Sequence, residues 1–195
     1  MRIIDISHKV QDAPLYPGSS PIQINPVFEM DKGDDFNASM IITGSHIGTH
    51  ADARNHFVKG NAVGIDRMEL SLFYGPCRVL TVPANTLITR ETLEGKIEGC
   101  ERLVIHGGGF SFLTIGAAKY ILEKGIKTIV TDALSIAPPD SEAEIHRLIM
   151  SAGLAVIENA TLEGVEDGDY ILCAFPIKIG GCDGAPVRAV LIAED

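Results

Sequence analysis

The 195-residue chain has no tryptophan, only four cysteines, and 16 Lys and Arg against 26 Asp and Glu. Each shortage excludes something. A net charge of -10 leaves no clustered cations to grip a phosphate backbone or anionic headgroups, so neither nucleic acid nor a membrane is an expected partner. Cys77, Cys100, Cys173 and Cys182 form no C-x-x-C pair, which argues against a zinc knuckle, a redox centre or a disulfide framework. No apolar run approaches the roughly 20 residues of a membrane span. The opening segment puts Arg2, Asp5 and Ser7 where a signal peptide needs an unbroken apolar core, so the expected location is cytoplasmic.

What remains is an ordinary globular composition, 46% hydrophobic and 22% charged. A chain of this length buries roughly 70% of its unfolded surface, enough for one core. With no linker or internal repeat visible, residues 1–195 read as a single domain. Residues 1–7 read as a β-branched strand. Pro14, Pro17, Gly18, Pro21 and Pro26 then mark an irregular surface segment, 31–35 a polar turn, and 40–43 a strand leading the next segment into the interior. Short β-rich runs follow at 78–82 and 102–105. Apolar residues at 115, 118, 121 and 122 predict a helix over 114–124 stopped by Gly125, with a strand at 128–130. Ser141-Glu142-Ala143-Glu144 matches a capping box and predicts a helix start there, ending at Gly153 before a buried strand at 154–157. An apolar run at 170–179 and a strand at 187–192 complete a mixed α/β domain.

Three of the six histidines and an Asp fall within eleven residues, His46-Ile47-Gly48-Thr49-His50-Ala51-Asp52-Ala53-Arg54-Asn55-His56. In an extended strand the first and last histidines would stand about 33 Å apart, whereas metal ligands must lie within about 2.0–2.2 Å of one ion. The segment must therefore curl, and Gly48 gives the backbone that freedom. Imidazoles with a carboxylate suit Zn2+, Mn2+ or Fe2+, which makes His46, His50 and Asp52 candidate ligands. His56 is either a further ligand or a proton carrier beside the metal. His146 and Glu158 form a weaker pair. The chain reverses between them, so both could reach one edge of the sheet, yet spacing alone favours a surface histidine and a turn glutamate.

These residues resemble the metal-dependent cyclase/hydrolase family that includes bacterial kynurenine formamidase and isatin hydrolase. Its H-x-G-T-H-x-D-x-P-x-H motif is matched by His46, Gly48, Thr49, His50, Asp52 and His56. Similar segments occur at Ile4–Ser7 with Tyr16-Pro17-Gly18, at Gly75-Pro76, at His146-Arg147-Leu148 leading to Val156–Asn159, and at Pro176–Ile179 with Asp183–Ala189. The resemblance implies a swivelling β/β/α fold with a mixed sheet and one or two divalent ions, Zn2+ or Mn2+. His46, His50 and Asp52 would hold the first ion. Asp52 would bridge to a second held by His146 and Glu158, and His56 would be the acid/base; here resemblance reverses what spacing favoured. It also implies a small-molecule substrate and a homo-oligomer, dimer or tetramer. Two positions depart from the pattern: Arg54 replaces the motif proline, and Ser19-Ser20 follow Gly18 where Asp is common.

The expected chemistry is hydrolysis of an amide, lactam or related acyl C–N or C–O bond by metal-bound hydroxide, with His56 moving the proton. The rivals are a non-catalytic metal-loaded protein holding a small acid, with Arg54 as the anion contact, and a cyclase, isomerase or redox enzyme using the same ligands. Ser45 lacks a G-x-S-x-G turn and is assigned no role. His8 and His106 read as structural.

Overall fold

A computed structural model describes residues 1–193. In chain order the elements are β1 (Arg2–Asp5), β2 (Gln23–Phe28), β3 (Ala38–Ile42), β4 (His50–Asp52), β5 (Tyr74–Thr81), β6 (Leu87–Ile88), α1 (Arg90–Leu93), β7 (Arg102–His106), β8 (Phe112–Leu113), α2 (Ile115–Glu123), β9 (Thr128–Thr131), α3 (Glu142–Ser151), β10 (Ala155–Glu158), β11 (Gly168–Cys173), β12 (Gly184–Pro186) and β13 (Val190–Ala193). Within the described residues nine strands join in the order β1-β13-β11-β5-β7-β9-β10-β4-β12. The four central strands run parallel. Antiparallel strands extend both sides, which makes the mixed α/β sheet expected. No helix among the described residues is long and apolar enough to cross a membrane.

Strand parity builds two cores from one sheet, because alternate side chains point to opposite faces. Leu80, Leu103, Ile105, Ile129 and Val156 face α2 and α3, where Ala117, Ile121, Ile145 and Ile149 meet them. Their neighbours Val79, Val104, Val130 and Ile157 pack on the other face with Ile6, Phe73 and Leu191. Burying each Ile or Leu contributes about 1.5–3 kcal/mol, so the short central strands are held by packing on both sides.

The same parity places the chemistry. Ala51 of β4 lies in the core remote from the helices, so His50 and Asp52 turn to the helical face. On β10, Glu158 lies opposite His50 and Val156 opposite Asp52. Helix α3 crosses that face, with His146 beside the buried Ile145. It stops at Gly153 (φ 92°), where the Gly153 and Leu154 N–H groups donate to Met150 and Ile149 carbonyls, a Schellman closure that needs a left-handed residue.

Several expectations are corrected. Pro26 sits inside β2, paired with β3 in a separate two-stranded hairpin with a register shift between Pro26 and Phe28; a missing N–H is tolerated at an edge or bulge. That hairpin does not lead inward, since Met40, Ile41 and Ile42 are exposed. Helix α3 starts where expected but without the capping box, because the Ser141 N–H already donates to Pro138 O in a preceding 3-10 turn. Of the 170–179 run, only residues through Cys173 are strand, and the last strand starts at Val190 rather than 187.

Candidate metal centre

The motif segment does curl. Gly48 takes φ 69°, and its carbonyl accepts the Nδ1 proton of His50 at 2.9 Å. Thr49 ties the segment down, its hydroxyl donating to Asn159 O at 2.7 Å and accepting from the His8 N–H at 3.0 Å. His146 Nδ1 donates to Glu142 O, one turn earlier in the chain, at 2.8 Å. In both rings this keeps a proton on Nδ1, so that Nε2, facing the carboxylates, is the nitrogen that takes a cation or a second proton. Glu158 is held through Oε1, which accepts from the Ile136 N–H at 2.8 Å.

The groups converge across the β4–β10 seam. His50 Nε2 stands 3.4 Å from Asp52 Oδ1 and 3.6 Å from Glu158 Oε2. His146 Nε2 stands 3.7 Å from Asp52 Oδ2 and 3.1 Å from Glu158 Oε1. His46, on the turn before β4, brings Nδ1 to 2.9 Å from Asp52 Oδ1. Three triads result, each with its donor atoms within 4.8 Å of one another: the more buried His46–His50–Asp52 and Asp52–His146–Glu158, which share Asp52, and the more exposed His46–His56–Asp183. Thus His146 and Glu158, which spacing alone leaves apart, meet. His56, in the 3-10 turn Arg54–His56, stacks on His46 with ring centroids 4.0 Å apart.

The donor set fits a cation. Ligand atoms about 2.0–2.2 Å from a tetrahedral ion lie roughly 3.3–3.6 Å apart, and most of the separations above fall near that range rather than at hydrogen-bond length. Asp52 Oδ2 is buried without a hydrogen-bond partner, a costly state unless something else meets it. Asp52 and Glu158 are 1% and 5% exposed, and the groups around them are imidazoles. Burial opposes charge on His146, but the Glu158 carboxylate outweighs it and raises the pKa to about 9. His50 is raised in the same way, Asp52 overcoming burial. Burial together with the Asp52 charge raises Glu158. Asp52 itself, despite burial, is held far below the carboxylate range by His46 and His50. Carboxylates that pull positive charge onto surrounding imidazoles are matched to a divalent ion, which competes with those protons.

Beside the cluster opens a cavity of about 280 Å³ lined in part by His46, His50, His56, His146, Glu158 and Phe57, whose ring stacks on His146 at 4.3 Å. A second, apolar hollow of about 210 Å³ adjoins it, bounded by Phe110, Phe112, Ala137 and Pro139; the two share Tyr16, Leu134 and Glu142. The Tyr16 hydroxyl donates to Glu142 Oε2 at 2.8 Å in that common wall.

Two residues stand differently from the sequence reading. Arg54 is no anion contact: its Nε and Nη2 donate to Met150 and Ser151 carbonyls at 3.1 and 3.3 Å, closing the C-terminus of α3, where a cation is favoured. Asp183, quoted in the sequence only as part of a similar segment, belongs with the histidines. Its Oδ2 lies 3.3 Å from His46 Nε2 and 3.6 Å from His56 Nδ1. Its Oδ1 accepts from Ser45 Oγ at 2.9 Å, which gives that serine a partner. Asp183 is far along the chain from the motif, and only the β4–β12 pairing brings it back.

The family model for cyclases matches residues 4–138. A kynurenine formamidase of Bacillus cereus is 33% identical, the alignment covering 96% of each chain; that of Bacillus cytotoxicus is 30% identical with the same coverage. Among solved structures, one described as a potential metal-dependent hydrolase with cyclase activity has a TM-score of 0.87 at 26% identity, covering 100% of this chain and 99% of the other. An isatin hydrolase bound to the product analogue thioisatinate has a TM-score of 0.82 at 19% identity, covering 99% and 92%, a likeness of fold.

Proposed function

The chain belongs to the cyclase family of metal-dependent hydrolases, and from that membership we propose that it cleaves the formamide, or a related acyl C–N or C–O bond, of a small aryl-bearing molecule in the manner of a kynurenine formamidase. The observation that carries the reading is the single carboxylate, Asp52, common to two donor triads. We assign His46, His50 and Asp52 to one divalent ion and Asp52, His146 and Glu158 to a second, the ions being Zn2+ or Mn2+, since both accept this donor set.

An ion held there supplies Lewis acidity, polarising a carbonyl oxygen and lowering the pKa of water from about 15.7 towards 7. The chain's own residues do the rest. His56 is the proton carrier: with Nδ1 turned towards Asp183, Nε2 is the nitrogen left to take a proton from water and return it to the leaving group. Its side chain is 30% exposed, consistent with exchange with solvent, and burial pushes its pKa down, towards the neutral, proton-accepting form. Phe57 walls the cavity and stacks on His146, so the ring carrying the ligand nitrogen is kept from rotating. The adjoining apolar hollow is suited to the aryl part of a substrate whose acyl group reaches the metal cavity.

A cytoplasmic homo-oligomer, dimer or tetramer, completes the proposal. Closed homo-oligomers are the commonest assemblies, and the β2–β3 hairpin exposes Val27, Phe28, Phe36, Met40 and Ile41, a surface of the kind such an assembly covers. Metal analysis of protein purified without chelator, then assay against N-formylkynurenine, formanilide, isatin and cyclic amides, tests the function. His56→Ala is expected to keep its metal and lose about 10²- to 10⁴-fold in turnover. Bound metal with no turnover across the panel would point to a binding protein instead.

A further inference from the structure

His46 differs from the other two histidines of the cluster. His50 and His146 each spend Nδ1 on a backbone carbonyl, of Gly48 and Glu142, and turn Nε2 to the carboxylates. In His46 the ring is reversed, with Nδ1 facing Asp52 Oδ1 at 2.9 Å. Its Nε2 is buried and makes no hydrogen bond among the described residues; the carboxylate beside it is Asp183, with Oδ2 at 3.3 Å.

Asp183 is itself firmly placed. Ser45 Oγ donates to its Oδ1 at 2.9 Å, and the Ala53 N–H donates to its main-chain carbonyl at 2.9 Å. The following residue completes the seat. A Cβ on Gly184 would stand 2.7 Å from His46 Cε1 and 2.9 Å from Ala51 O, so the imidazole lies directly against a glycine that leaves room for nothing larger. Ring and carboxylate are thus fixed by the same short stretch of chain at the start of β12.

An imidazole has one proton to place when neutral, and a ligand nitrogen must not carry it. We propose that Asp183 is a positioning residue, its carboxylate accepting a hydrogen bond from the Nε2–H of His46 and so fixing the tautomer in which Nδ1 presents its lone pair to the metal centre. The 3.3 Å approach lies just beyond the usual length of such a hydrogen bond. That bond gives His46 the outer partner that backbone carbonyls give His50 and His146, and losing such a partner costs about 10- to 100-fold in metal affinity. The inference rests on His46 being a ligand.

The test is chelator competition on the zinc-loaded protein, wild type against Asp183→Ala and the isosteric Asp183→Asn, together with long-range ¹⁵N–¹H spectra of the wild-type histidine rings. We expect one ion to bind about 10- to 100-fold more weakly in both variants, and the proton of His46 to sit on Nε2 in the loaded wild type. Affinities within about threefold of wild type in both variants, well short of the loss expected for an outer partner, would overturn the proposal, as would a proton found on Nδ1 of His46. The spectra need no variant to fold. Wild-type protein that takes up no ion at all would instead overturn the reading of the centre.

Discussion

At the β4–β10 seam His50, Asp52, His146 and Glu158 are buried, although charged and polar groups belong in water. In the β2–β3 hairpin Val27, Phe36, Met40 and Ile41 are more than half exposed, although apolar groups belong inside. Both regions break the usual sorting of residues, in opposite senses, and the reasons differ. A buried carboxylate is tolerable only when paired or bound to a cation, and three of the four donors, His50, His146 and Glu158, are oriented by backbone groups outside the cluster, those of Gly48, Glu142 and Ile136. Among the described residues the hairpin's two strands pair only with each other, in a separate sheet. On the proposed reading, an ion would complete one region and a partner surface the other.

If that contrast is right, the two can be broken separately. The largest effect is expected from Asp52→Ala, which removes the carboxylate common to the two more buried triads: elemental analysis should find neither ion, and turnover should fall below detection. Full activity in that variant would refute the shared-carboxylate reading. Next comes stability. An ion at about 1,000 times its Kd adds about 4 kcal/mol, so stripping it with chelator should lower Tm by about 8–16 °C in a domain of this size, reversibly on adding metal back. Third, Ile41→Lys or Phe36→Glu on the hairpin should convert an oligomer to a smaller species by light scattering while metal content stays unchanged; metal loss would mean the two regions are coupled. The smallest effect belongs to Arg54→Ala. Removing two hydrogen bonds from a charged donor to the end of α3 should cost about 1–3 kcal/mol, read as a modest fall in denaturation midpoint in the metal-free protein.

The four central strands are legible because their patterns are local. Thr128–Thr131 and Ala155–Glu158 are apolar on both faces because two cores press on the sheet there, and a β-branched run signals as much. Helix α2 was legible from period and stop, with Thr114 as its cap. Within the site, the spacing of His46 to His56 could say that the chain must curl, and only family resemblance could join His146 to Glu158. What sequence misread depends on partners far along the chain. Arg54 looked available because the carbonyls of Met150 and Ser151 that occupy it lie at the far end of α3, with most of the parallel sheet between them in sequence. Ser141 is the local exception: its N–H is already used by Pro138, three residues back. Asp183 was a lone acid before a glycine until β12 laid it beside His46.

The staple between Arg54 and the end of α3 joins the two segments that carry the donors. One segment is the motif loop; the other runs through His146 to Glu158. Far apart in sequence, they come together only once β10 has found β4, a non-local pairing of the kind that forms late because its loop must close first. A half-folded chain therefore offers the ion only scattered histidines of low affinity. On the proposed reading, capture by all the donors at once would require the finished topology, so metal loading would mark completely folded molecules.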